Sequence, residues 1–279
     1  MISPLRFRHA AFRFDRTYLA AVLNVTPDSF SDGGAFDSLE SCIAHALSCV
    51  KSGADLLDVG GESTRPGAAP VAAAEEIRRV VPVVERLAGT VRVPVSVDTT
   101  KAEVAEAAVR AGAEIVNDIS GGLFDPDIVG VCARSGAAFV CGHVRGTTIA
   151  EVHAAAQPTF AELGAELAAR LADLPADVRA RTIVDPGLGF GKVGAAANVE
   201  IIRRVGELRA ALGRPVMVGP SRKRFIGELV GRAAAERDDG TVGAALAAAA
   251  AGADFVRVHD VRRVRDALTV FEAIGPVRA

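Results

Sequence analysis

The 279 residues, 50% hydrophobic and 24% charged, supply ample material for a buried core, which excludes a disordered, collagenous or disulfide-stapled chain. A formal net charge of −2 and a pI near 6.2 leave no basic stripe, so neither nucleic acid nor an anionic lipid surface is expected as a partner. Mean hydropathy is +0.28, yet the longest uncharged run, Gly240 to Ala253, falls short of the roughly 18 residues of a membrane span, and a soluble protein is expected.

At the N-terminus, Leu5 and Phe7 alternate with Arg6 and Arg8, and Phe12 and Phe14 with Arg13 and Asp15. This period of two predicts a β-hairpin over residues 1–16 with its turn near His9 to Ala11. The segment is rich in arginine but has no continuous apolar stretch of the secretory kind, so a cytoplasmic location is expected, with an amphipathic transit peptide as the alternative.

Short apolar runs then recur: Leu19 to Val25, Leu56 to Gly60, Val93 to Asp98, Ile115 to Ile119, Ala138 to His143, Ile183 to Pro186, Val216 to Gly219 and Phe255 to His259. Near-continuous apolar character belongs to parallel strands buried on both faces. Helical patterns separate them. Glu75 to Leu87 sets Ile77, Val80, Val81, Val84 and Leu87 on one face, and Val199 to Leu212 repeats the pattern through Ile201, Ile202, Val205, Leu208 and Leu212. Gly53, Gly112, Gly136 and Gly252 each follow such a helix and precede a strand, where a positive φ costs glycine little. The alanine-dense stretch Ala244 to Ala251 reads as a tightly packed helix. Cys42, Cys49, Cys132 and Cys141 lack metal or redox spacing and read as reduced, packed thiols.

Strand then helix, eight times over, is the count of a (β/α)8 TIM barrel, and the fold class is α/β. The length prior alone suggests two domains, but such barrels of about 250 residues run as one. A doubly wound sheet would want a glycine-rich turn after the first strand, where Asn24-Val25-Thr26-Pro27 stands instead. A single domain over 1–279 is therefore expected, the hairpin closing the N-terminal end of the barrel.

In this fold the chemistry sits at the C-terminal strand ends. Those positions read Asn24, Asp58 with Glu62 to Arg65, Asp98, Asn117 with Asp118, His143, Asp185, Ser221 with Lys223, and Arg257 with His259. Any one of these can be a helix cap. Together they have no structural duty. Buried Asp and Asn suit a planar heterocycle with an amino group beside a ring N–H. Arg257, His259 and the loop 24–34 offer donors and room for a phosphate, and Gly219 to Lys223 leads into a helix N-terminus that favours an anion. No spacing for a tightly held structural metal appears, whereas a phosphate-bridged Mg2+ remains open.

Leu23 to Gly34 (LNVTPDSFSDGG), Asp58 to Gly67 (DVGGESTRPG), Ser96 to Thr99 (SVDT), Asn117 to Ile119, Asp185 to Lys192 (DPGLGFGK), Ser221 to Lys223 and Arg257 to Asp260 resemble, in order and over nearly the whole chain, the successive signatures of the dihydropteroate synthase family. The resemblance implies a transferase of folate biosynthesis that joins 6-hydroxymethyl-7,8-dihydropterin diphosphate to 4-aminobenzoate and releases pyrophosphate. It implies that Asp98, Asn117, Asp185 and Lys223 hold the pterin, and that Asn24, Thr64, Arg65, Arg257 and His259 hold the diphosphate. Asn24 would also ligate Mg2+. Phe30, Pro66, Phe190 and Ser221 would form the 4-aminobenzoate site. Asp98, Lys223 and Asn24 are the expected catalytic residues, and a homodimer is the family's expected state. Two loops that move in the family correspond to residues 24–38 and 60–69.

Other residues read differently. Thr26, Asp28 and Asp32 cap or turn the first loop, and Asp58 and Glu62 are expected to partner Arg65. Lys192 and Arg222 read as surface or diphosphate-proximal charges. Three departures from the family pattern stand out. Gly142 replaces the methionine usual before the histidine that ends strand five, which predicts a gap or a water beside the pterin. Pro220 restricts the turn before Ser221, and the loop 144–156 is short. The alternatives are a pterin-binding homologue without chemistry, and an aldolase-like barrel using Lys223 in a Schiff base.

Overall fold

The computed structural model describes residues 2–25, 35–63 and 68–275, of which 35–38 by backbone alone. Strands β1 (Leu5–Arg6) and β2 (Ala11–Phe12) form an antiparallel hairpin, followed by β3 (Tyr18–Asn24), β4 (Leu56–Gly60), β5 (Val95–Asp98), β6 (Ile115–Asp118), β7 (Ala138–Gly142), β8 (Thr182–Asp185), β9 (Met217–Val218) and β10 (Phe255–Val258). The last eight pair in parallel in the order β8-β7-β6-β5-β4-β3-β10-β9, and a bridge between Val184 and Val216 closes the ring. The helices are α1 (Ala35–Lys51), α2 (Ala73–Ala88), α3 (Ala102–Arg110), α4 (Asp127–Ser135), α5 (Ile149–Ala154), α6 (Phe160–Asp173), α7 (Ala176–Ala180), α8 (Gly194–Arg203), α9 (Val205–Leu212), α10 (Arg224–Val230), α11 (Asp238–Ala250) and α12 (Val261–Ile274). This is the expected (β/α)8 TIM barrel. Among the described residues no helix is long and apolar enough to cross a membrane.

The apolar runs conceal an alternation that decides where the site lies. Leu19, Ala21 and Leu23 of β3, Leu57 and Val59 of β4, and Val95 and Val97 of β5 pack against the helices. Tyr18, Ala20, Leu56, Ile115, Ala138, Ile183, Met217 and Phe255 fill the barrel. The hairpin closes the end they occupy: Leu5, Phe12 and Phe14 join that cluster, with the Phe12 ring 5.0 Å from Phe255 and 4.7 Å from Tyr18. Its turn lies at Phe7 to Ala10 rather than at His9 to Ala11, because Leu5 pairs with Phe12 and Arg6 with Ala11.

Gly53, Gly112, Gly136 and Gly252 all take positive φ, as expected of helix ends. On α2 the fully buried face is Glu76, Val80, Val83, Val84 and Leu87, so Val83 replaces Ile77 and Val81, which pack only partly buried. The predicted helix from Val199 to Leu212 divides at Arg204 into α8 and α9. Beyond the break Gly206 lies against α11, where a Cβ would stand 2.5 Å from the Ala251 carbonyl oxygen. Only glycine permits that approach. The alanine-rich helix is α11, burying Ala245, Ala248 and Ala249. All four cysteines are buried, and burial pushes their thiols up to about 11 for Cys42 and Cys49 and about 12 for Cys132 and Cys141, so they stay neutral.

Candidate active site

Continuing the inward alternation to the C-terminal rim gives Asn24, Asp58, Asp98, Asn117, Gly142, Asp185, Gly219 and Arg257. The same rule removes two strand-end residues from the mouth. Asp118 points outward, fully buried, and accepts from the Ser120 N–H, the Ser120 hydroxyl and the Gly122 N–H, capping its own loop. His143 likewise lies behind the strand, against α6.

At the mouth, Arg257 bridges two strands: its Nε donates to Asp58 Oδ2 at 2.5 Å and its Nη2 to Asp98 Oδ2 at 2.5 Å. The Asn117 amide donates to the same Asp58 oxygen at 2.9 Å. Asp58 therefore partners Arg257 and Asn117. Glu62 accepts from Lys101 at 2.7 Å and from the Val71 N–H at 2.7 Å, and Lys101 also reaches Glu76 at 2.5 Å. Arg65, the partner expected for Asp58 and Glu62, lies outside the described residues; among those described, strand β10 brings Arg257 within reach of Asp58 and the start of α3 brings Lys101 within reach of Glu62.

Burial pushes the Asp98 carboxyl up, the neighbouring acids add to it, and Arg257 pulls the other way. Asp185 is also raised by burial, opposed by the Gly187 N–H that donates to it at 2.7 Å and by Lys223 and Arg257. Burial lowers Lys223 to about 8. Its ammonium sits 4.2 Å from the Phe190 ring centre, so a residue expected at the pterin and one expected at the 4-aminobenzoate meet. Ser221 and His259 also meet: Oγ and Nδ1 are 2.8 Å apart, and the His259 N–H donates to Oγ at 3.2 Å. Ser221 lies in a turn closed by Lys223 N–H on the Pro220 carbonyl at 3.1 Å, and α10 begins only at Arg224. Its hydroxyl is therefore oriented by His259 rather than by a helix end. Arg222, at a positive φ of 57°, is a surface charge paired with Asp238.

Thr64, Arg65, Pro66 and Phe30, with Thr26, Asp28 and Asp32, lie outside the described residues. Asn24 is described, half-buried at the end of β3.

Two expectations are corrected. Lys192 is 4% exposed and so is not a surface charge. Its ammonium lies 2.8 Å from His143 Nδ1 and donates to the His143 carbonyl at 2.8 Å, while His143 Nε2 faces Glu166 at 2.9 Å and Glu166 is held by Arg145. A lysine donating to Nδ1 leaves His143 neutral with its proton on Nε2. The bolt fixes the turn Asp185 to Lys192 to the end of β7. The buried Asn198 of α8 holds the same turn, accepting from the Gly189 N–H at 2.8 Å and donating to the Lys192 carbonyl at 3.0 Å. No sequence pattern marks Asn198, Glu166 or Arg145, since each acts from outside the motifs.

Burial lowers Lys192 to about 7 from an ordinary 10.5. Between those values the unfolded chain holds a proton that the folded chain does not, so folding stability should rise with pH across that window. The melting temperature is expected to be higher at pH 9 than at pH 7, with a smaller rise in Lys192→Met; Lys223 adds to the rise above pH 8, and the four buried thiols, whose ordinary value is 9.0, begin to oppose it toward pH 9. An unchanged rise in the variant refutes this.

The second correction concerns Gly142. No gap opens beside it: a Cβ there would stand 2.3 Å from the Ile119 carbonyl oxygen and 2.5 Å from its Cα, so backbone fills the space. The loop 144–156 carries the short helix α5, capped by Thr148, and Arg145 ties its start to Glu166.

Fold and mouth together define a barrel enzyme built for a polar heterocycle beside an anion. The family model for pterin binding enzymes matches residues 20–259. Dihydropteroate synthase of Synechocystis sp. is 42% identical over 272 residues, 93% of this chain and 90% of that protein. The structure of Xanthomonas albilineans dihydropteroate synthase with 4-aminobenzoic acid is 43% identical, covers 99% of both chains and superposes with a TM-score of 0.87. The same enzyme with 7,8-dihydropteroate is 41% identical, covers 95% of this chain and 97% of that one, and gives 0.82. The chain belongs to the pterin binding enzymes, as a member of the dihydropteroate synthase family.

Proposed function

We propose that the 279 residues act as one barrel domain that condenses 6-hydroxymethyl-7,8-dihydropterin diphosphate with 4-aminobenzoate, giving 7,8-dihydropteroate and pyrophosphate. The observation that carries this reading is the inward ring of Asp98, Asn117, Asp185 and Arg257, with Lys223 reaching it from the start of α10, in a chain of this family. Asp185 accepts from the amino group and adjacent ring N–H, and Lys223 donates to the ring carbonyl or nitrogen. Asn117 donates one N–H to Asp58 and keeps its carbonyl oxygen and second N–H for the ring.

As the C–O bond to the diphosphate breaks, positive charge develops on the pterin and its methylene, and the Asp98 carboxylate, fixed by Arg257, stabilises it. The remaining N–H groups of Arg257, with Thr64, Arg65, His259 and Asn24, receive the leaving group. Phe190 flanks the aminobenzoate ring together with Phe30 and Pro66, and Ser221 binds its carboxylate. The neutral aniline attacks the methylene directly and needs no strong base.

Among the described residues no cluster of three acidic, His or Cys side chains exists to cage a metal. Asn24 offers a single hard amide oxygen, which fits Mg2+ shared with substrate phosphates rather than a protein-only site. When bound, Mg2+ neutralises charge on the leaving diphosphate. Purified protein given the pterin diphosphate, Mg2+ and 4-aminobenzoate should release pyrophosphate, and retained pterin binding without release would identify a non-catalytic homologue. The chain acts as a homodimer, a reading supported by exposed Leu229 and Val230 on α10 and Val270 and Ile274 on α12. Light scattering should then return twice the 28.8 kDa chain mass.

A further inference from the structure

Asp58 is 2% exposed and faces the barrel interior from the middle of β4. One of its oxygens, Oδ2, accepts from Arg257 Nε at 2.5 Å and from Asn117 Nδ2 at 2.9 Å, linking β4 to β10 and β6. The other, Oδ1, is buried with no hydrogen-bond partner among the described residues, and so is the hydroxyl of Ser96, its register partner on β5. A buried carboxylate with one oxygen unpaired is a poor device for stability, since apolar replacements of buried ion pairs are often neutral or better. Its work lies at Oδ2. An ionised carboxylate only accepts, so it obliges Asn117 to turn its NH2 toward β4 and its carbonyl oxygen away from it. It also holds the Arg257 guanidinium through Nε, while Nη2 goes to Asp98, so that among the described residues Nη1 is not engaged by either acid.

We infer that Asp58 is the positioning residue of the pterin site, setting the Asn117 amide and the Arg257 guanidinium in the orientation the ring and its diphosphate meet. The inference rests on the functional reading above. It differs from a general structural role because it predicts selectivity between the two substrates, and from a charge effect because a neutral acceptor should suffice.

The test measures calorimetric binding of 6-hydroxymethyl-7,8-dihydropterin, without its diphosphate, together with the KM for 4-aminobenzoate. Asp58→Ala, and Asp58→Ser should the alanine variant not fold, are expected to weaken pterin binding by about tenfold or more while the KM for 4-aminobenzoate stays within about twofold. Asp58→Asn, which keeps a carbonyl acceptor, should recover binding to within about threefold of wild type. On an Asn117→Ala background the further loss from Asp58→Ala should shrink below about threefold, because the amide it orients is gone. Equal loss for both substrates, an Asp58→Asn variant as poor as Asp58→Ala, or full additivity with Asn117→Ala each overturns the inference. Wild-type protein that does not bind the pterin overturns the functional reading instead.

Discussion

Lys223→Ala is expected to reduce pyrophosphate release by at least about a thousandfold while the melting temperature stays level or rises slightly. The two halves of this result have separate causes. Lys223 is half-buried at the mouth beside the Phe190 ring, and burial, opposed by the nearby Asp185 and Asp98 charges and reinforced by Arg257, lowers it to about 8. A charged lysine in that setting costs the fold stability, so its removal relieves a penalty. In the proposed reaction it supplies the cation opposite Asp185, and without it the ring loses a donor while Asp185 loses one of the charges that, with the Gly187 N–H, oppose the upward push of burial. Asp98→Ala should abolish turnover to the same extent but with a lower melting temperature, because Arg257 then keeps only Asp58 as its carboxylate partner. Breaking one arm of a half-buried, charge-assisted pair costs about 1–3 kcal/mol. Kinetics and thermal melting of the two variants check the contrast, and wild-type-like turnover in either removes the assigned role.

The barrel was legible because its signals are local. Apolar runs, helical periodicity and glycines at helix ends each act within a few residues, and every predicted strand is present within two or three residues at its ends. The mouth was legible for a related reason: a polar residue that ends an apolar strand has to face something, and strand parity decides what. Parity also explains what sequence order alone blurred. Asn117 and Asp118 are neighbours in the chain but opposite in direction, so one faces the barrel mouth and the other caps a loop. The partners of the site acids were not legible. Asp58 meets Arg257 across 199 positions and Lys192 meets His143 across 49, and only barrel closure and the packing of the turn after β8 bring them together. Nothing local distinguishes a lysine bolted under a turn from one in solvent.

Gly142→Ala is expected to destabilise the protein by about 3 kcal/mol, and Gly142→Met by more, although methionine is the residue the family pattern leads one to expect there. The added Cβ would meet the Ile119 carbonyl carbon and Cα, both 2.5 Å away, and backbone can yield only if its anchors do. Those anchors are numerous. The Asp118 carboxylate holds the Ser120 and Gly122 N–H groups at 2.7 Å, and Arg170 of α6 donates to the Ser120 carbonyl at 3.0 Å and to the Gly142 carbonyl itself at 2.8 Å. Gly121, at a φ of 61°, lies against that same Gly142 oxygen and leaves no slack on the other side. The ends of β6 and β7 are thus clamped at a separation that excludes any side chain at position 142. The space beside position 142 is filled by peptide backbone, which is stiffer than a side chain. For a chain of this size a loss of that order lowers the melting temperature by about 5–10 °C. Pterin binding should weaken alongside, since moving Ile119 also moves Asn117, two residues upstream. A Gly142→Ala variant that melts within about 1 °C of wild type would mean that the clamp opens at little cost, and the glycine would then be a vacancy rather than a requirement.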